Sequence, residues 1–138
     1  MVEWKYQNKK VASIEDVPKG ATGFLYIITC VSGYYYIGKK SLYSTVTRKP
    51  LKGTKSKRKV TKQSKWQEYC SSNKYFKQLE PWEIVDRTII EFAYTKKHLS
   101  FIETEALFSL QVLRNPMSKN RNIGGKWFPA DIPGNKKE

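Results

Sequence analysis

Apolar and polar positions follow two different periods along this chain, and the change of period marks its elements. Gly23-Phe-Leu-Tyr-Ile-Ile-Thr-Cys30 is short, β-branched and aromatic, which predicts a buried strand. Val31-Ser32-Gly33 predicts a turn and Tyr34-Tyr-Tyr-Ile-Gly38 a second strand, so the two make a hairpin. Residues 64–69 predict a short helical turn. Ser72 is the expected N-cap of a short helix over 73–79, which Pro81 ends. Residues 83–93 predict a third strand. Thr95 is the expected N-cap of the main helix, 96–113, where Leu99, Ile102, Ala106, Leu110 and Leu113 recur as one helical stripe. Strands in succession followed by strand and helix predict an α+β fold, a small three-stranded antiparallel sheet flanked by helices.

Two stretches lack such periodicity. Residues 1–21 read as a polar lead-in closed by Pro18-Lys19-Gly20, and 129–138 as a polar tail, leaving one domain over 22–128. Within it, 39–65 reads as a long basic loop or arm, interrupted by Pro50 and Gly53, with eleven Lys or Arg and no acid. A solvated charge run is one reading of it; a phosphate-binding arm is the other.

The balance of the whole chain bears on that choice. Its 138 residues carry 26 Lys and Arg against 12 Asp and Glu, a net charge of +14. A domain so basic calls for a polyanion, nucleic acid first and an anionic membrane surface second. No apolar run approaches the roughly 20 residues of a spanning helix. The first ten residues are polar and charged, unlike a signal peptide. A cytoplasmic protein without a membrane partner is therefore expected. Cys30 and Cys70 form no CxxC pair, and His98 is the single histidine, which argues against structural zinc and suits free thiols in a reducing cytosol.

The hairpin also carries a motif. Gly23-Phe-Leu-Tyr26, followed ten residues on by Tyr36-Ile37-Gly38 and then Lys39-Lys40, resembles the two half-motifs of the GIY-YIG nuclease superfamily. The first half is degenerate, Phe24-Leu25-Tyr26 standing for Gly-Ile-Tyr; the second is intact. Trp66-Gln-Glu-Tyr69 with Ser71-Ser72, Leu99-Ser-Phe-Ile-Glu103-Thr, and Asn120-Arg-Asn122-Ile-Gly-Gly-Lys-Trp-Phe128 resemble further segments of small phage-type members. The likeness spans about residues 22–128. One position departs from it: Val46 stands where the family places an arginine. Arg48, Lys49 or Arg58 would have to serve instead.

What the resemblance implies is a metal-dependent DNA endonuclease, working in the host cytoplasm if phage-encoded. Glu103 would hold one Mg²⁺ or Mn²⁺, a hard cation that accepts carboxylate oxygen. Tyr26 would act as or help the general base, provided that cations such as Lys39 and Lys40 lower a hydroxyl pKa ordinarily near roughly 10. Tyr36 would position phosphate or water, Arg48 would clamp the phosphate, and Asn122 would complete the set. Lys39, Lys40, Lys49, Lys57, Arg58 and Lys59 would bind DNA phosphates without choosing sequence. If Tyr26 pairs with Gly38, Tyr36 shares its sheet face; a slip of one residue separates them.

Each residue has a plainer reading. Tyr26 and Tyr36 serve as core aromatics, Glu103 or Glu105 as solvated helix acids, Asn122 as a turn cap, and His98 as an exposed first-turn residue. Trp66 and Tyr69 are expected to pack the arm against the domain more than to stack on bases. The alternative function is a non-catalytic nucleic-acid-binding protein, a decayed nuclease using its basic arm.

Overall fold

The computed structural model describes residues 1–135. In chain order these form strands β1 (Trp4–Tyr6), β2 (Lys9–Val11), β3 (Gly23–Cys30), β4 (Tyr35–Ser41), β5 (Tyr43–Arg48) and β6 (Arg58–Gln63). Helix α1 (Lys74–Lys77), strand β7 (Ile84–Ala93) and helix α2 (Lys96–Ser109) follow. The class is α+β as expected, but the main sheet has five strands rather than three, in the order β2-β1-β7-β3-β4. The two extra strands come from the segment read as a polar lead-in. β1 runs parallel to β7, with Trp4 opposite Arg87, and the other pairings are antiparallel. Three residues are too few for alternation to register as a period, yet Trp4 and Val11 are buried. The last three residues of the expected tail, 136–138, lie outside the described residues.

β3 is covered on both faces, which is why its sequence is apolar almost throughout. Phe24, Tyr26, Ile28 and Cys30 join Trp4, Trp66 and Phe76 on one side. Leu25 and Ile37 meet Leu99, Ile102 and Leu107 of α2 on the other. Gly23 lets α2 approach: a Cβ there would stand 2.6 Å from Leu99 Cδ2. Thr95 caps α2, its hydroxyl accepting the His98 N–H. Asn73, not Ser72, caps α1, accepting from the N–H groups of Tyr75 and Phe76. α2 ends at Ser109, short of the predicted Leu113. Gln111 adopts a left-handed φ of 52°, so Val112 and Leu113 reach the core from a turn, while Leu110 is exposed and Leu107 takes its place.

The basic segment is not a loop. β5 and β6 pair from Tyr43↔Gln63 to Arg48↔Arg58 as a separate two-stranded ribbon. Thr45 facing Thr61 and Val46 facing Val60 supply β-branched pairs, and the surrounding lysines hide that pattern in the sequence. The root of the ribbon is firm. Leu42 is fully buried, and Ser64 donates to the Leu42 carbonyl through its N–H at 2.8 Å and to the Ser41 carbonyl through its hydroxyl at 2.6 Å. Trp66 is also fully buried, its indole N–H donating to Gln63, so it packs the ribbon against the body. Both cysteines are free thiols.

Candidate active site

The outer edge of β4 is where three parts of the chain converge. α2 covers one face of the sheet there, residues 66–76 cover the other, and residues 115–124 cross the edge itself. Tyr35 bridges to Ser118, and Lys119 N–H donates to the Tyr35 carbonyl at 2.7 Å. The buried Asn120 amide then accepts from Ile37 N–H at 3.0 Å and donates to Ile37 C=O at 2.8 Å. One side chain thus satisfies both backbone groups that a neighbouring strand would have paired. Two adjoining clefts of about 580 and 470 Å³ remain, and both have Tyr36, Ser72 and Glu103 in their walls.

Register sets the tyrosines. Tyr26 lies opposite Gly38, so Tyr36 shares its face, ring centroids 6.4 Å apart. Gly38 is needed for space rather than for its backbone angles. A Cβ there would fall 2.6 Å from the Tyr26 hydroxyl and 2.9 Å from Tyr36 Cε2. Tyr26 itself is sealed, with no exposed surface, its hydroxyl 3.5 Å from Ser71 Oγ. Burial, reinforced by Tyr69, pushes that hydroxyl far above its ordinary pKa. The expectation that Lys39 and Lys40 would lower it is therefore corrected: desolvation dominates, and the Lys40 ammonium sits instead 4.4 Å over the Tyr69 ring. Tyr36 is half-buried and reaches both clefts. Burial raises its pKa too; a Ser72 hydrogen bond opposes the shift, and the charges of Glu103 and Tyr69 add to it.

Glu103 occupies the margin of the buried face of α2, next to Ile102 and one turn on from Leu99. Burial raises the pKa of its half-buried carboxyl, and the positive charge of Lys39 partly offsets this. Lys39 in turn donates to Ser100 Oγ at 2.8 Å. Glu105 is exposed and lines neither cleft; His98 is exposed, 3.9 Å from a Glu91 carboxylate oxygen. Asn122 lines the second cleft with Lys119, Asn120 and Arg121. Its side-chain oxygen accepts the Gly125 N–H at 2.9 Å, which is the turn-capping role.

Arg48, Lys49, Lys57, Arg58 and Lys59 belong to the ribbon or its tip and line neither cleft. Val46 pairs with Val60 inside the ribbon. The structure thus gathers Tyr36, Lys39, Lys40, Glu103 and Asn122 around adjoining clefts, places Tyr26 beneath them, and sets the ribbon cations apart. Sequence reasoning passed over Ser72 as a wall residue, and over Lys96, Lys119, Asn120 and Arg121. Asn120 and Arg121 sit beside the nominated Asn122, but nothing in the string says which of the two asparagines faces β4. Among the described residues no three of His, Cys, Asp or Glu cluster, and Glu103 is the carboxylate in the cleft walls. One carboxylate, completed by water and phosphate oxygens, is a donor set that Mg²⁺ accepts and structural zinc does not.

The family model described as "Putative endonuclease segE, GIY-YIG domain" matches residues 4–129. No curated protein and no solved structure matches the chain. Over residues 4–129, from the first strand of the sheet to beyond the segment that crosses β4, the chain belongs to the segE family of GIY-YIG endonuclease domains.

Proposed function

We propose that this protein is a divalent-metal-dependent DNA endonuclease working in the adjoining clefts beside β4. The observation that carries the reading is the meeting of Tyr36, Ser72 and Glu103 on those clefts, ringed by cations, in a domain of this family. A merely binding surface gains nothing from a half-buried acid facing phosphate.

Hydrolysis joins a water oxygen to phosphorus and breaks the bond to a sugar oxygen. One proton leaves the water and one reaches the leaving oxygen. Glu103 would hold Mg²⁺ or Mn²⁺, which when bound supplies positive charge to the phosphate and makes water more acidic. Lys39 and Lys40 line the first cleft and Lys119 and Arg121 the second, and all four would hold phosphate oxygens. Arg121 supplies the planar, two-pronged guanidinium that Arg48, out on the ribbon, does not bring to the clefts. Tyr36, its pKa raised, is a neutral hydroxyl at neutral pH, suited to donate to a phosphate or leaving oxygen and to orient the water. Tyr26 supports Tyr36 from below, and Asn122 holds the turn beside Arg121. Arg48, Lys49, Lys57, Arg58 and Lys59 would bind phosphates further along the duplex. No helix among the described residues is long and apolar enough to cross a membrane. A DNA substrate puts the reaction in the cytoplasm, the host's if the chain is phage-encoded.

Supercoiled plasmid at low salt with Mg²⁺ tests this, using the wild type, Glu103→Gln and an EDTA control. Metal-dependent nicking that falls at least about 100-fold in Glu103→Gln, with DNA binding kept, is the expected result. A second reading, a binder without catalysis, draws on the sealed Tyr26 and the distant Arg48. Binding without cutting by both proteins, in Mg²⁺ and in Mn²⁺, selects it.

A further inference from the structure

The β5–β6 ribbon has two chemically different faces. Cross-strand pairing puts Tyr43, Thr45, Thr47, Lys59, Thr61 and Gln63 on one face. All six are exposed, five are uncharged, and each carries hydrogen-bonding groups. The other face holds Ser44, Val46, Arg48, Arg58, Val60 and Lys62, with the serine and both valines half-buried. β-propensity accounts for threonine in an exposed strand. It does not account for the arginines being confined to the opposite face while hydroxyls and an amide hold this one.

We infer that the ribbon enters the major groove of duplex DNA and reads base edges with Thr45 and Thr61, giving the enzyme a sequence preference. This rests on the proposed DNA substrate, not on hydrolysis. The groove, about 12 Å wide, admits a two-stranded β-ribbon. The ribbon's six-residue strands extend about 20 Å, which spans roughly six base pairs at 3.4 Å each. Hydroxyls donate and accept, and so match the mixed pattern that base pairs present there, and a lysine pairs with guanine. Arg48, Arg58 and Lys62 on the other face, with Lys49 and Lys57 at the tip, meet the phosphates that flank the groove. Because β5 continues from Ser41 at the cleft wall, and Leu42 and Ser64 fix its root, the bases read lie next to the bond cut.

The test selects bound duplexes from a random-sequence pool with full-length Glu103→Gln protein in EDTA, so that no cutting is needed. The same selection is made with Thr45→Val/Thr61→Val and with Arg48→Gln/Arg58→Gln added. Valine keeps the β-branched shape and removes only the hydroxyl, and Thr45→Ser/Thr61→Ser restores it. We expect a preference within about six base pairs that weakens about 5- to 10-fold in the valine variant and returns in the serine variant. Non-specific affinity and its salt slope stay the same. The glutamine variant should keep the preference, lose affinity evenly over all sequences, and bind with a salt slope smaller by about 2. Selected duplexes without a common sequence, or a preference unmoved by valine, overturn the inference. Preference without metal-dependent cutting by the wild type would leave it standing and remove the endonuclease reading; absence of any duplex binding removes both.

Discussion

A tyrosine pair in a nuclease motif invites the view that either ring can act on a proton, and burial separates the two. Tyr26 Oη meets Ser71 and no solvent, whereas Tyr36 opens on the clefts. Tyr36→Phe should therefore slow nicking at saturating DNA by about 100-fold, in the range of a lost acid or hydrogen-bond donor. Tyr26→Phe should slow it less than about 10-fold. Single-turnover rates decide between them, and equal losses would return the first motif tyrosine to the reaction. Glu103 has a separate signature in stability. Its raised pKa means that the folded protein holds this proton more tightly than the unfolded chain does. The ionised carboxylate therefore penalises the metal-free fold above the unfolded pKa, and the penalty fades as pH drops below it. Metal-free Glu103→Gln should be more stable at pH 7 by about 0.5 kcal/mol or less, solvent screening being allowed for, and the gain should vanish near pH 3. Thermal melts in EDTA read both. A less stable glutamine variant would mean that attraction to Lys39 outweighs burial.

At the scale of elements, the N-terminal strand and the site loop hang on one side chain. Arg87, on β7, is buried, with no carboxylate partner among the described residues. It donates to the carbonyls of Val2, Gln67 and Tyr69 at 2.7, 3.0 and 2.9 Å and lies 4.7 Å over the Trp4 ring. Desolvation pushes its pKa down to about 10, so it stays charged at neutral pH. Arg87→Met leaves these carbonyls unpaired, and about 2–3 kcal/mol of stability should go with it; Arg87→Lys should recover little, since an ammonium cannot span the same fork. Urea midpoints give the loss. Nicking at saturating DNA shows whether slack in residues 69–72 reaches Tyr36 and Ser72; an unchanged rate would free the site from this anchor. Such long-range ties explain what the sequence conceals. β3, β4, β7 and the start of α2 are legible because each carries its own period, turn or cap, and Thr95 marks its helix within a residue. β1 is not, since its reason to be a strand is Arg87 and its neighbours, over eighty residues downstream. β5 and β6 hide because lysines mask a threonine–valine alternation that faces only itself. In the site, Tyr36 and Glu103 were legible from motif and stripe. Asn120, Arg121 and Ser72 were not, because chain crossings alone bring them to β4.

For the molecule as a whole, charge and core are divided between separate structures. Neither hydrophobic cluster contains a residue of 43–63, yet that stretch holds eight of the 26 Lys and Arg and no acid. Excising it takes the net charge from +14 to +6. The Leu42 carbonyl and Ser64 N–H already lie 2.8 Å apart, so an Asn-Gly turn can close the gap. The body should lose no more than about 1–3 kcal/mol, since the side chains lost are exposed or half-buried and the main cost is the buried Trp66 indole N–H left without its Gln63 acceptor. Binding should change far more. With about six phosphate contacts gone, the slope of log K against log salt should shrink by about 5, and affinity at moderate salt should fall by about 10³ or more. Cutting at low salt and saturating DNA should survive, because no wall of either cleft comes from the ribbon. Plasmid nicking by the excised protein, titrated in DNA and in salt, separates these effects. Loss of the saturated rate would show that the ribbon lends a group to the reaction itself, and Arg48→Ala in the full chain would then identify it; an intact rate leaves Arg121, in the wall of the second cleft, to hold the phosphate.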